Sequence, residues 1–154
     1  MATKTIIKLK GPEAGTFEIQ DVSGVAQIRL DGTNVASTAQ EIDERALSFD
    51  VTLGTADDQH IVIPWNCNVT KIYSVIDAAP TTADETLTFK NNAGTALTGG
   101  VITITQAGSA DGDIDSATPT ANNSFTAGQK MTVSIGGENG TAAGCQITVV
   151  CQIT

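Results

Sequence analysis

The terminal stretch "CQITVVCQIT" repeats its apolar side chains at every second position, and "LSFDVTL" does the same far upstream. That period belongs to a β-strand with one buried face, because a helix repeats its apolar face every three to four residues. In the upstream segment it places Leu47, Phe49, Val51 and Leu53 on one side and Ser48, Asp50 and Thr52 on the other. In the last segment Cys145, Ile147, Val149, Cys151 and Ile153 share a face, with Thr148, Gln152 and Thr154 opposite. Between them "QHIVIPW", "NVTKIYSVID", "ETLTFKN", "GVITITQ" and "KMTVSIGG" read as further strands. The linking segments "AAPTTAD", "NNAGTALTGG", "QAGSADGD", "TPTANNSFTAGQ" and "GGENGTAAG" are rich in turn residues. Strands and turns at this spacing predict an all-β fold, an antiparallel β-sandwich of jelly-roll-like form over residues 47–154.

Residues 1–46 read differently. "TKTIIKLK", "TFEIQD" and "AQIRLD" are short strand-like pieces, and "STAQEIDERAL" carries a cap at Ser37 or Thr38 with Glu41 in the first turn of a short helix. These pieces hold too few apolar residues for a core of their own. Ile6, Ile7, Leu9, Phe17, Ile19, Ile28 and Leu30 cannot all be buried within so short a segment. The segment is therefore expected to be an arm that orders against a sister subunit or a larger surface, with Lys4 and Lys8 as further contact residues. Lys4, Lys8 and Lys10 all precede its first acid, which places cations at its tip.

Composition removes several function classes. With a net charge of −9 and no cluster of basic residues in the sandwich, nucleic acid is not an expected partner. No apolar run approaches the length that crosses a bilayer, and "MATKTIIKLKGPE" lacks the apolar stretch of a signal peptide, so synthesis and use from the cytoplasm are expected. Hydrophobic residues at 40% suffice for a core, whereas charged residues at 16% and aromatics at 4% are too few for a typical helical bundle. The three cysteines, Cys67, Cys145 and Cys151, are expected to be buried thiols. Cys145 and Cys151 would stand roughly 20 Å apart on one strand, beyond disulfide reach. Cys67 can approach either only if the fold brings it there.

Candidate sites are few. "DGDID" at residues 111–115 offers three carboxylates, but a wrapped calcium loop starting at Asp111 would need Gly and Glu where Ser116 and Asn122 stand. It reads as a solvated acidic strand edge. His60, the single histidine, lies beside Ile61 with no nucleophile motif, and "DDQH" reads as a polar turn before a strand. Trp65 and Tyr73 are the two residues able to stack on a sugar ring, although a lone Trp at a strand end is more often a packing residue. The sequons at Asn68, Asn122 and Asn139 are compositional in a Thr-rich chain. No catalytic residue, metal ligand set or cofactor is expected, and no Gly-rich loop carries a lysine for phosphate.

The stretch "GTADDQHIVIPWNCNVTKIYSVIDAAPTTADETLTFKNNAGTALTGGVITIT", followed by "SATPTANNSFTAGQKMTVSIGG", resembles small β-sandwich virion proteins of tailed bacteriophages. The upstream "LDGTNVASTAQEID" is similar to the segment that often precedes such domains. The likeness is a pattern of turns and apolar positions covering most of residues 25–154. It implies a non-enzymatic structural part of the virion, most like a capsid decoration (cement) protein. Such a protein sits on the outer capsid surface, binds the major capsid protein and itself, often as a homotrimer, and is assembled in the host cytoplasm. The alternative it leaves open is a fibre or tail-tip module that binds a host glycan through Trp65 and Tyr73.

Overall fold

A computed structural model describes residues 17–20, 26–31, 34–35, 44–54, 56–136 and 143–154. The chain divides into two compact units, Met1–Asp43 and Glu44–Thr154. In the first unit, β1 (Phe17–Gln20), β2 (Ala26–Asp31) and β3 (Asn34–Val35) form an antiparallel meander in the order β1-β2-β3.

The second unit is all β among its described residues. It contains β4 (Glu44–Thr52), β5 (Asp57–Ile63), β6 (Cys67–Ile76), β7 (Glu85–Lys90), β8 (Ala96–Ile104), β9 (Ile114–Ala117), β10 (Ser124–Phe125), β11 (Gln129–Gly136) and β12 (Gly144–Ile153). One antiparallel sheet runs β10-β6-β12-β4, with β9 sharing the outer edge of β6 with β10. The other runs β5-β11-β7-β8. The alternation written in the sequence is what builds both. In β7, Glu85, Leu87 and Phe89 are buried while Thr86, Thr88 and Lys90 are not. In β12, Cys145, Ile147, Val149 and Cys151 point into the core. Val51, Ile72 and Ile147 from one sheet and Ile63, Leu87, Phe89 and Met131 from the other belong to a single apolar cluster. Each such side chain contributes about 1.5–3 kcal/mol on burial, so this shared core holds the two sheets face to face in a sandwich-like unit.

Two strands change parity part-way. In β6, Cys67 and Val69 are buried, then Ile72, Ser74 and Ile76. The register on β12 slips between Val150 and Cys151, leaving Thr70 as the extra residue of a bulge. Its hydroxyl donates to the Val150 carbonyl at 3.3 Å. In β8 the inward residues are Leu97, then Gly100, Ile102 and Ile104. Gly99 takes up the extra step at φ +75°, where a Cβ would lie 2.7 Å from the Thr118 carbonyl oxygen. That close approach lets Thr98 pair with the segment before β10, its N–H donating to Ala121 at 3.0 Å and its carbonyl accepting from Thr120 at 2.8 Å. One side of the sandwich is thus stitched shut.

Three expectations are corrected. The helix expected over residues 37–47 falls partly outside the described residues, and residues 44–47 are extended, not helical. Glu, Arg, Ala and Leu favour helix by propensity, but pairing with β12, with Arg45 opposite Cys151 and Leu47 opposite Val149, overrides that weak preference. The sandwich strand therefore begins at Glu44, ahead of the expected residue 47. "DDQH" is not a turn: Asp57–His60 all lie in β5, paired with β11. The short strand β10 was not foreseen in "TPTANNSFTAGQ", whereas β9 starts inside "DGDID", the stretch read as a strand edge.

Candidate interaction surfaces

Among the described residues, no strand closes the side opposite the stitched edge. β4 ends one sheet and β5 ends the other, and the short connection at residues 53–56 carries the chain between them. Among the described residues β4 pairs only with β12, and β5 only with β11. Their inward side chains line the gap. Leu47, Phe49 and Ile61 are only partly buried, although all three pack against the core. One end of this seam is held by Glu85, which is fully buried at the start of β7. Its Oε2 accepts from the Gly54 amide at 3.3 Å and its Oε1 from the Thr86 amide at 3.3 Å. The other end is spanned by Arg45, whose guanidinium lies 5.4 Å from the centroid of the Trp65 ring. Glu85 was not singled out from sequence. The signal was present, because it is in phase with Leu87 and Phe89 on the buried face of "ETLTFK".

The arm residues divide. Phe17 stands opposite Leu30 and Ile19 opposite Ile28 in the β1–β2 register, and Leu30 stands opposite Val35. Four of the expected contact positions are therefore brought together as cross-strand pairs. Lys4, Ile6, Ile7, Lys8 and Leu9 lie outside the described residues.

The two aromatic candidates are not brought together. Trp65 precedes β6, whereas Tyr73 lies six residues into it, roughly 20 Å along the strand. Each has a cation over one face. Trp65 is half-buried beneath Arg45. Tyr73 is 39% exposed, with Lys71 Nζ 5.6 Å from its centroid. On neighbouring β9, Ile114 is 67% exposed beside Val75.

The outer face of the other sheet carries a ladder of cross-strand hydrogen bonds. His60 Nδ1 and Thr132 Oγ1 are 3.0 Å apart, and the Ser134 hydroxyl donates to Asp58. That hydroxyl, helped by Lys90, His60 and Lys130 nearby, holds the Asp58 carboxyl below the usual carboxylate range. Serine bonds aspartate here and histidine bonds threonine, so the row is a strand-to-strand ladder and not a serine–histidine nucleophile pair.

All three cysteines are buried free thiols. Burial, with the Asp77 charge behind it, pushes Cys145 up to about 12. Burial and the neighbouring Cys67 push Cys151 up to about 12, and burial raises Cys67 as well. The fold does bring Cys67 near Cys151, on adjacent β6 and β12, but in diagonal register: Cys67 faces Ile153 and Cys151 faces Val69. In "DGDID" the first residues turn rather than extend. Gly112 has φ +84°, its N–H donates to the Ile76 carbonyl at 2.8 Å, and Asp113 Oδ2 accepts from the Ala110 amide at 2.7 Å. The carboxylate serves the turn that starts β9. Among the described residues, no three His, Cys, Asp or Glu side chains gather as a metal ion would require.

No protein-family model matches the chain, and no curated protein matches its sequence. Among solved structures, a chain of the cyanophage Pam1 capsid asymmetric unit aligns over 72% of this chain and 82% of its own, with TM-score 0.45 and 16% identity. A chain from the Bacillus endospore appendages, described as disulfide-linked pili, aligns over 72% and 88%, with TM-score 0.35 and 18% identity. Likenesses this distant carry no functional argument.

Proposed function

We propose that this chain is a structural component of a phage virion, a decoration protein that binds the outside of the head through its N-terminal arm. The reading is non-enzymatic, with the major capsid protein and further copies of itself, as a trimer, for partners. The observation that carries it is the build of the arm. The unit that holds this three-stranded meander, Met1–Asp43, is close to the size of about 40 residues below which a chain usually needs oligomerisation, a disulfide or a metal to fold. Its apolar positions nonetheless meet in register, Phe17 with Leu30 and Ile19 with Ile28. Such a layer needs a second surface to cover it.

The sandwich supports the same reading. Its strand order, β4-β12-β6 with β9 and β10 against β5-β11-β7-β8, supports a jelly-roll reading, an architecture used in viral capsid and lectin domains. Fold alone assigns no role; the sequence resemblance to tailed-phage virion sandwiches supplies the class.

The test is direct. Purified full-length protein is mixed with capsids assembled without it, sedimented and imaged by electron microscopy. Density on the outer shell, lost when Phe17, Ile19, Ile28 and Leu30 are replaced by Ser, is the expected result. A folded protein that stays in the supernatant, or density only at a tail, overturns the reading.

A further inference from the structure

We infer that the open side of the sandwich is a docking groove for residues 3–10 of a neighbouring copy, added as an extra strand along β4. Three features of the described residues define the groove. β4 offers a nine-residue backbone edge that pairs with no described strand on that side. Such an edge is a template for another chain. Behind the edge lie Leu47, Phe49 and Ile61, apolar and only partly buried. The groove is bounded rather than endless, by the Gly54–Glu85 hydrogen bond at one end and by Arg45 over Trp65 at the other.

The occupant is chosen by pattern and charge. In "TKTIIKLK", odd positions carry Thr3, Thr5, Ile7 and Leu9, and even positions carry Lys4, Ile6, Lys8 and Lys10. As a strand this segment has one uncharged face and one basic face. β4 has the matching division: Leu47 and Phe49 face inward, while Glu44, Ser48 and Asp50 are exposed on the other face. The match extends to spacing. Lys4 and Lys10 are six residues apart, as are Glu44 and Asp50, with Ile7 and Leu47 at the two midpoints. Setting Ile7 beside Leu47 therefore brings both lysines beside both carboxylates, whether the added strand runs parallel or antiparallel. Opposite charges side by side on adjacent strands favour the pairing, and a reversed charge opposes it. The basic tip also answers the acidic balance of the sandwich, where residues 47–154 carry Lys71, Lys90 and Lys130 against ten acids. Donation between copies, rather than within one, rests on the reading of a repeated shell protein. Copies held side by side present the segment at high effective concentration.

Cross-linking of full-length chains tests this. An Ile7→Cys chain is mixed with a Leu47→Cys chain under mild oxidation, with Thr103→Cys as the off-site control, and a chain carrying both substitutions is oxidised at high dilution. The expected result is a disulfide between the two single-variant chains and none with the control. A bond formed only within the doubly substituted chain overturns donation between copies, and no bond in either case overturns the groove. Charge reversal gives a second reading that spares the core. Glu44→Lys with Asp50→Lys should weaken self-association about tenfold or more by sedimentation velocity. Adding Lys4→Glu with Lys10→Glu to the same chain should restore it, and failure to restore it counts against the strand. Capsid sedimentation of the unaltered protein is scored separately, so an absent cross-link with intact capsid binding rejects the groove alone. Cross-linking without capsid binding rejects the virion reading alone.

Discussion

Arg45 and Trp65 face each other across the open side of the sandwich, guanidinium to ring centroid 5.4 Å. Arg45 opens β4 of one sheet and Trp65 follows β5 of the other, so their contact ties together two edges that no described hydrogen bond joins. A cation–π contact made by an exposed guanidinium such as that of Arg45 contributes about 0.5–1 kcal/mol. Arg45→Ala should therefore lower unfolding stability by about that amount, with Arg45→Lys losing less. Trp65 is the only tryptophan, so its fluorescence reports both the urea transition and a shift to longer wavelength as the ring loses its cover. An unchanged spectrum and midpoint would show that the stack is idle.

Glu85 fastens the other end. Replacing it by Leu fills the space with carbon but leaves the Gly54 and Thr86 amides without their carboxylate acceptor. Leaving a buried donor without its acceptor costs about 1–3 kcal/mol. Glu85→Leu should fall in that range by chemical denaturation, and Glu85→Gln, which keeps one oxygen acceptor, should fall below it. A neutral or stabilising Glu85→Leu would mean the carboxylate is not what holds the connection.

The thiols set an alkaline limit. Cys145 and Cys151 are pushed from a reference of 9.0 up to about 12, chiefly by burial. Between those values the unfolded chain releases protons that the folded chain keeps, so unfolding becomes easier as pH rises. Their contribution is complete below pH 9 and is lost from there toward pH 12. Cys151→Ala should flatten the fall of stability over that window. At neutral pH a thiol reagent should label the native protein slowly and the denatured protein fast.

Asp113 works in a turn. Its carboxylate accepts from the Ala110 amide at 2.7 Å, so Asp113→Ala should cost about 0.5–1.5 kcal/mol. Added calcium should leave the melting temperature of the unaltered protein in place. A marked rise with calcium that Asp113→Asn abolishes would reinstate the ion site.

Much of this molecule is set by local chemistry. The period-two runs in "LSFDVTL", "ETLTFKN" and "CQITVVCQIT" determine their own buried faces, because alternate side chains of any strand point opposite ways. The burial of Leu87, Phe89, Ile147 and Cys151 was legible for that reason. The loop after β7 was legible too: Asn91 Oδ1 accepts from the amides of Ala93 and Thr95 at 3.1 Å each, as an Asn in a turn does.

Tertiary structure decided what depends on a partner strand. Residues 44–47 have the composition of a helix and become a strand because β12 offers a ladder to pair with. β9 and β10 are too short to show a period and exist because the edge of β6 is free to hold them. The bulge at Thr70 flips the parity of β6, a change no single-strand pattern announces. Likewise the seam between β4 and β5 joins Arg45 to Trp65 and Gly54 to Glu85, residues far apart in sequence. Side-chain alternation is a property of one strand, but strand order and edge exposure arise only when two sheets close on a common core.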